Sequence, residues 1–406
     1  MTERDPFVLV FTRICAALIV CLAMLFGGCA TTIFQRPVDF DVNPLRERAV
    51  SAVEDSMRVS AAVPSRAEST AIFGVDLSEK SVQPVWIEIE NNSDRVVYFL
   101  QTGLDPEYFS PREIAFAFYG SLSDDGKRRL TEHIERLSFR DPINPRSTVS
   151  GFVFTYSDQE TKYVTVDLLS REWSTHLTML APIPDRSLTE SHVAKVLAMI
   201  SEMDPVHVED ESRLRTLLEH LPCCAADKNG IQGYPLNVVL IGDLDTTGPA
   251  LVRRNFRYEP ASSLYLFGRP QDLSLKKGDG WTAAQPHVLR VWLTKIRYQK
   301  KLVWIGQIST PLGGRFAGAS VAITDPDVDE ARFDLIQDAI YSQLVTEVGF
   351  VKGVGPVASA SPRRASGGSA YYTDGLRAVI IFDREPTSLS ELEFLSWERL
   401  VDQFHQ

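Results

Sequence analysis

The chain has 406 residues, 44% of them apolar and 23% charged, with a formal charge of −11 at pH 7. That balance excludes a disordered or fibrous protein and leaves room for two domains. An acidic surface argues against nucleic acid as a partner, because phosphate backbones are bound by clustered Lys and Arg.

The first residues have the form of a leader. Arg4 and Arg13 stand against Glu3 and Asp5, Ile14 to Phe26 is apolar, and Leu25-Phe26-Gly27-Gly28-Cys29 ends like a lipobox. The run is shorter than the roughly 20 apolar residues that span a membrane. Residues 1–28 are therefore expected to be a signal peptide, leaving Cys29 lipidated as the mature N-terminus. Several acyl chains, palmitate among them, would anchor it stably. An uncleaved anchor and plain secretion are the alternatives, since Phe26 stands where an aliphatic residue is usual. Ala30 in place of Asp after the cysteine favours the outer membrane in a Gram-negative envelope. The protein would face the periplasm or exterior.

Residues 29–65 are expected to be a tether with one amphipathic helix, Pro44 to about Met57. From 66 to 170 the period is two, as in Val85-Trp86-Ile87-Glu88-Ile89-Glu90, followed by Asn91-Asn92-Ser93-Asp94 and a returning strand to Leu100. Ser147–Tyr156 and Lys162–Leu168 are expected to form a second such pair, with Pro111–Tyr119 and Asp124–Arg136 as helical insertions. This pattern predicts an immunoglobulin-like β-sandwich. Residues 171–220 are expected to be a helical connector: Val193, Val196, Leu197, Ile200 and Met203 share one helix face, and Leu214, Leu217, Leu218 and Leu221 another. His192, His207 and His220 have no ligand spacing and are expected at the solvated surface.

Residues 221–406 mix both element types, giving α+β as the fold class. Strands are expected at Leu236–Ile241, Leu264–Phe267, Ser320–Thr324 and Leu376–Phe382, and a hairpin at His287–Ile296 and Leu302–Ser309. Helices are expected at Thr246–Asn255, from Asp327 to about Glu347 behind a capping box with Glu330, and at Ser388–Phe404. Ser359–Ala370 has loop composition.

This third region resembles the LssY C-terminal domain family. The pieces that carry the likeness are Pro235-Leu236-Asn237-Val238-Val239-Leu240-Ile241-Gly242 and Leu264-Tyr265-Leu266-Phe267-Gly268-Arg269-Pro270-Gln271-Asp272, then His287-x-x-Arg290-Val291-Trp292, Val303-Trp304-Ile305-Gly306 and Asp325-Pro326-Asp327-Val328-Asp329-Glu330-Ala331-Arg332, within about 221–352. The resemblance implies work near a membrane and no established reaction. Where the family usually has histidine before Asp-Pro-Asp, this chain has Ala322 and Ile323, so no metal site built on that histidine is expected.

Arg269, Gln271, Asp272, His287 and Arg290 are the polar candidates. Strand alternation puts Arg290 and Trp292 on one face and His287 on the other. An odd hairpin loop would bring Trp304 under Arg290 as a cation–π partner. Arg269 and Asp272 suit a turn-stabilising pair, and an arginine fork also suits phosphate. An enzyme acting on lipid or phosphoester substrates would use His287 as acid–base, with Arg269, Asp272 and Arg290 around an anion. No nucleophile elbow, phosphate loop, metal-binding helix motif or dinucleotide fingerprint occurs. Asp325, Asp327 and Asp329 are better suited to helix capping than to a calcium loop, which needs Gly sixth and Glu twelfth.

Cys15 and Cys21 fall in the leader, and Cys223-Cys224 remain as two half-buried thiols, a labile vicinal bridge or an intermolecular link. The leading expectation is a non-catalytic envelope lipoprotein that binds an envelope protein or anionic lipid headgroup, with no cofactor. A scaffold using a sandwich edge strand is a third possibility.

Overall fold

The structure, a computed structural model, describes residues 33–398 apart from 39, 121, 159–160, 185–191, 259–262, 278–286 and 313–322. Cys29 and the leader lie outside the described residues, as do Ala322 and the end of the expected C-terminal helix.

The front half is built from α1 (Asn43–Arg48), β1 (Val50–Glu54), β2 (Met57–Ala62), α2 (Arg66–Phe73), β3 (Val82–Asn91), β4 (Tyr98–Phe99), α3 (Pro111–Ala117), α4 (Asp124–Leu137), β5 (Ser147–Tyr156), β6 (Thr161–Ser170) and β7 (Trp173–Pro182). Strands β1-β2-β3-β5 form one sheet and β4-β6-β7 a second. Val59, Ile87, Ile89 and Val153 of the first pack on Val164, Val166, Leu168 and Met179 of the second. The front half is thus a β-sandwich with an added helical layer. Strand β3 is buried on both faces: Trp86 points away from the sandwich core into a second core with Phe73, Ile114, Leu130 and Ile134.

Several expectations are corrected here. The helix begun at Pro44 stops at Arg48, and residues 50–62 are a sandwich hairpin where a tether was expected. Strands β5 and β6 do not pair; β5 pairs with β3 and β6 with β7, so the chain crosses between sheets. Likewise β4 pairs with β6 rather than returning along β3. Alternation specifies which face a residue occupies and leaves the partner strand open. Residues 173–182, placed in the helical connector, are a sandwich strand.

The chain continues through α5 (His192–Glu202), β8 (Val206–Val208), α6 (Glu211–Glu219), β9 (Cys224–Ala226), β10 (Gln232–Pro235), β11 (Val238–Ile241), α7 (Leu244–Val252), β12 (Phe256–Tyr258), β13 (Tyr265–Leu266), β14 (Arg269–Pro270), β15 (Leu273–Lys277), β16 (Val288–Tyr298), β17 (Lys301–Ser309), β18 (Pro311–Leu312), β19 (Ile323–Thr324), α8 (Val328–Tyr341), β20 (Val345–Lys352), β21 (Arg363–Arg364), β22 (Ala370–Tyr371), β23 (Leu376–Phe382) and β24 (Glu393–Phe394). Among the described residues, nine strands make one mixed sheet in the order β12-β15-β16-β17-β11-β23-β20-β24, with β8 alongside β16. One face packs on α5, α7 and α8 through Val238, Leu240, Leu289, Trp304 and Leu335. The other meets α6 through Val239, Val303 and Leu218, and a small sheet, β10-β9-β13-β14, through Trp292, Ile305 and Ala225. The protein is a mixed α+β fold. Helix α8 ends at Tyr341, because Gln343 at φ 65° turns the chain into β20. Asp327 caps α8 by accepting from the Asp329 amide, not from the Glu330 amide that a capping box would use. Described residues 388–398 hold β24 and no helix.

The two halves meet over buried charge. Lys162, fully buried, donates to Asp105 at 2.8 Å and pairs with Asp158 at 2.8 Å, while Arg257 from the C-terminal half pairs with both carboxylates. Burial pushes the Asp105 carboxyl up, but Lys162 and Arg257 outweigh it and hold it below its ordinary value. Arg253 of the C-terminal half reaches Asp167 at 2.7 Å. Helix α7 sits so close to β6 that a Cβ on Gly248 would lie 2.3 Å from the Tyr163 ring.

Candidate anion site on the C-terminal sheet

The expected site residues divide between places. Arg269 forms a bidentate pair with Asp272, both contacts 2.9 Å, and donates to the Leu293 carbonyl at 2.6 Å. Asp272 also accepts from the Leu293 amide at 2.6 Å. The pair therefore ties the β13–β14 turn to β16. Gln271 closes the same turn, its side chain accepting from the Leu264 amide at 2.8 Å.

His287 is buried on the α8 face, with Nδ1 2.8 Å from Thr310 Oγ1 and Nε2 3.2 Å from Asp334. Burial drives its pKa down, against the pull of Asp334. Arg290 lies on the opposite face of β16. The constellation expected for an enzyme, His287 with Arg269, Asp272 and Arg290, is not gathered into one cleft.

Nor does Arg290 stack on Trp304. The hairpin turns in two residues, Gln299 at φ 47° and Lys300 at φ 69°, the positive pair that tight hairpins favour. With the register shift between Leu293 and Arg297, Leu293 faces Trp304, whose indole donates to the Gly242 carbonyl from the α8 side.

What surrounds Arg290 is a row across three strands. Ser274 on β15 is its neighbour on one side and Gln307 on β17 on the other. Ser274 and Gln307 are 3% and 1% exposed, and the Ser274 hydroxyl and Gln307 carbonyl oxygen have no hydrogen-bond partner. Gln307 uses its amide on Ser309 Oγ at 3.4 Å. Two residues along, the Trp292 indole N–H is buried without an acceptor. Arg290 itself is half-buried, with an unpartnered Nε and no hydrogen bond or ion pair among the described residues. Burial lowers its pKa, and among the described residues no carboxylate is close enough to oppose that.

Polar groups are rarely left this way, since an unsatisfied buried group costs about 1–3 kcal/mol and more when charged. The other buried arginines of the domain show the usual solution. Arg332 is held by Asp374 at 2.9 Å and the Leu376 carbonyl at 2.7 Å, between the rings of Phe333 and Phe350. Arg377 donates to the carbonyls of Leu218, Leu221, Pro222, Leu236 and Gly353. The Arg290 row instead offers guanidinium, hydroxyl and indole donors beside one unpartnered acceptor, the Gln307 carbonyl oxygen. Among the described residues no acid pairs with Arg290, so an oxyanion would be held by the Arg290 and Ser274 donors.

Ser274 and Gln307 gave no signal in the sequence beyond being polar residues within apolar strands. Cross-strand register makes them neighbours of Arg290. Among the described residues, no three His, Cys, Asp or Glu side chains are gathered as metal ligands.

These features define a two-part α+β protein whose C-terminal sheet carries a polar row around Arg290, with which no described acid pairs. Residues 244–376 match the family model of the LssY C-terminus, so the chain carries an LssY-like C-terminal domain running from α7 to the start of β23. No curated protein matches the chain.

Proposed function

We propose that this is a lipid-anchored envelope protein whose C-terminal domain binds a phosphate group through Arg290, with the Ser274 hydroxyl as second donor. The observation that carries the binding role is a half-buried guanidinium with no acid, flanked by buried, unpartnered polar atoms. Anchoring rests on the apolar run that ends at Cys29. Among the described residues no helix is long and apolar enough to cross a membrane.

A lipid headgroup and a soluble ester both present such a phosphate, and two arms of one experiment separate them. Purified full chain is titrated with inorganic phosphate, and separately sedimented with phosphatidylcholine vesicles with and without phosphatidic acid. Binding in both arms, lost in Arg290→Gln, supports the proposal; vesicle binding alone assigns the lipid. Equal binding by Arg290→Gln in both arms contradicts it. For the anchor, Cys29→Ala should move the protein from the membrane to the soluble envelope fraction, and unchanged retention would contradict lipidation.

A second reading is hydrolysis of a lipid or phosphoester, favoured by the Thr310–His287–Asp334 chain of contacts. It requires that His287→Gln abolish turnover of a phosphoester panel while the protein stays folded.

A further inference from the structure

The vicinal cysteines are not absorbed by the anion site. Successive side chains on a strand point to opposite faces, yet the Cys223 and Cys224 sulfurs touch at 2.6 Å. Strand β9 begins only at Cys224, and Pro222 precedes the pair, so the backbone at Cys223 is free of the alternation that would separate them. The exposed side chain of Gln232, brought alongside by the pairing of β10 with β9, donates to both sulfurs, at 3.0 and 2.7 Å. Both cysteines are free and half-buried.

We propose that Cys223 and Cys224 are a two-electron redox site, converted by a hydroperoxide into a vicinal disulfide. The Cys223 thiolate attacks the peroxide and becomes a sulfenic acid as the O–O bond breaks and hydroxide leaves. The Cys224 sulfur then attacks the Cys223 sulfur, an S–S bond forms, and the sulfenic oxygen leaves as water with the Cys224 proton. Overall, two thiols and one hydrogen peroxide give one disulfide and two waters. Burial pushes the Cys224 thiol up to about 12, which suits it to second attacker rather than first. The Gln232 amide stabilises negative charge on either sulfur.

The product is strained. Adjacent Cα atoms are about 3.8 Å apart across a trans peptide, below the roughly 4.4 Å that disulfides ordinarily need. Strained bridges have higher potentials and are the labile, regulatory kind. Closing this one acts on a built environment: the Cys223 carbonyl accepts from the Leu236 amide at 2.8 Å, and the Pro222 carbonyl from Arg377.

The test is peptide mapping of the full chain after a small molar excess of hydrogen peroxide, denaturation in iodoacetamide and tryptic digestion. Peptide Thr216–Lys228 holds both cysteines. It should appear two hydrogens lighter and unalkylated, and should take up two alkyl groups only after reduction. Two alkyl groups without reduction, or one sulfur carried to sulfinate, would overturn the proposal. In Cys224→Ser the reaction should stop at a Cys223 sulfenic acid that dimedone traps. No adduct there would overturn the order of attack. In Gln232→Leu, a surface change, oxidation should slow several-fold, and an unchanged rate would remove the amide from the site.

Discussion

Arg377 and Arg290 occupy the same sheet, and the protein treats them in opposite ways. Arg377 sits on β23 with its guanidinium surrounded by carbonyls from α6, the loop after it, β20's end and the approach to β11. It caps the C-terminal carbonyls of α6 and stitches four chain segments together, an arginine used as a hub. Burial lowers its pKa to about 10, and the carbonyls compensate it with dipoles in place of a carboxylate. Arg290 is partly removed from water and has neither acid nor carbonyl partner among the described residues. A cation at such a position that improves no internal contact is reasonably kept for a contact with something external. The comparison sets a structural arginine against the one proposed to bind, and substitutions can break or sharpen it.

The largest expected effect is from Arg377→Met. Several buried carbonyls would lose their donor at once, and about 3–5 kcal/mol of stability should go with them. An unfolding free energy from denaturant titration within about 1 kcal/mol of wild type would show that the hub is not structural.

Next comes Gly248→Ala. Its added methyl meets the Tyr163 ring at 2.3 Å, so ring or helix must shift, and roughly 1–3 kcal/mol should be lost. If instead the sandwich simply separates from the C-terminal half, limited proteolysis will show two stable pieces rather than one weakened fold.

A smaller effect is expected from pH. Burial lowers the His287 pKa, so the stability tied to its neutral ring is fully present above the unfolded value of about 6.5 and is lost as pH falls through the folded one. His287→Gln should therefore flatten the acid limb of a stability–pH curve below about pH 6.5. Superimposable curves for the two proteins would show that the buried ring does not set that limb.

Smallest of all should be Arg290→Met, within about 1 kcal/mol of wild type and on either side of it, because burying an unpaired charge contributes little to folding. A loss comparable to Arg377→Met would place Arg290 with the structural residues and end the contrast.

Parts of this organisation are legible in the sequence alone. The β16–β17 hairpin is visible in two apolar runs around Tyr298-Gln299-Lys300, and α8 in Asp327 followed by a helical period. Of the expected inner face, Phe333, Ile336, Ile340 and Leu344, the helix buries Ile336 and turns Ala331, Leu335 and Ala339 inward with it. These rest on local signals: turn chemistry, capping and a helical period. The mispairing of β5 with β6 has a physical origin, since both alternate well and nothing in their alternation names the sheet each joins. Arg290's position relative to Trp304 depended on whether the turn held an odd or even number of residues, and two positive φ residues made it even. Ser274, Gln307 and Arg377 were not legible as a group for the same reason. Their meaning comes from register across the sheet and from carbonyls far away in sequence. By contrast, the expected leader and lipidation at Cys29 rest on sequence alone, since those residues lie outside the described ones.

The most direct test of the phosphate site is calorimetric titration of the purified full chain with inorganic phosphate, beside Arg290→Gln. Saturable one-to-one binding should weaken at least about tenfold in the variant, equivalent to about 1.4 kcal/mol, while thermal unfolding stays unchanged. Equal affinities, or no heat from either protein, would contradict the assignment of Arg290 to an external anion.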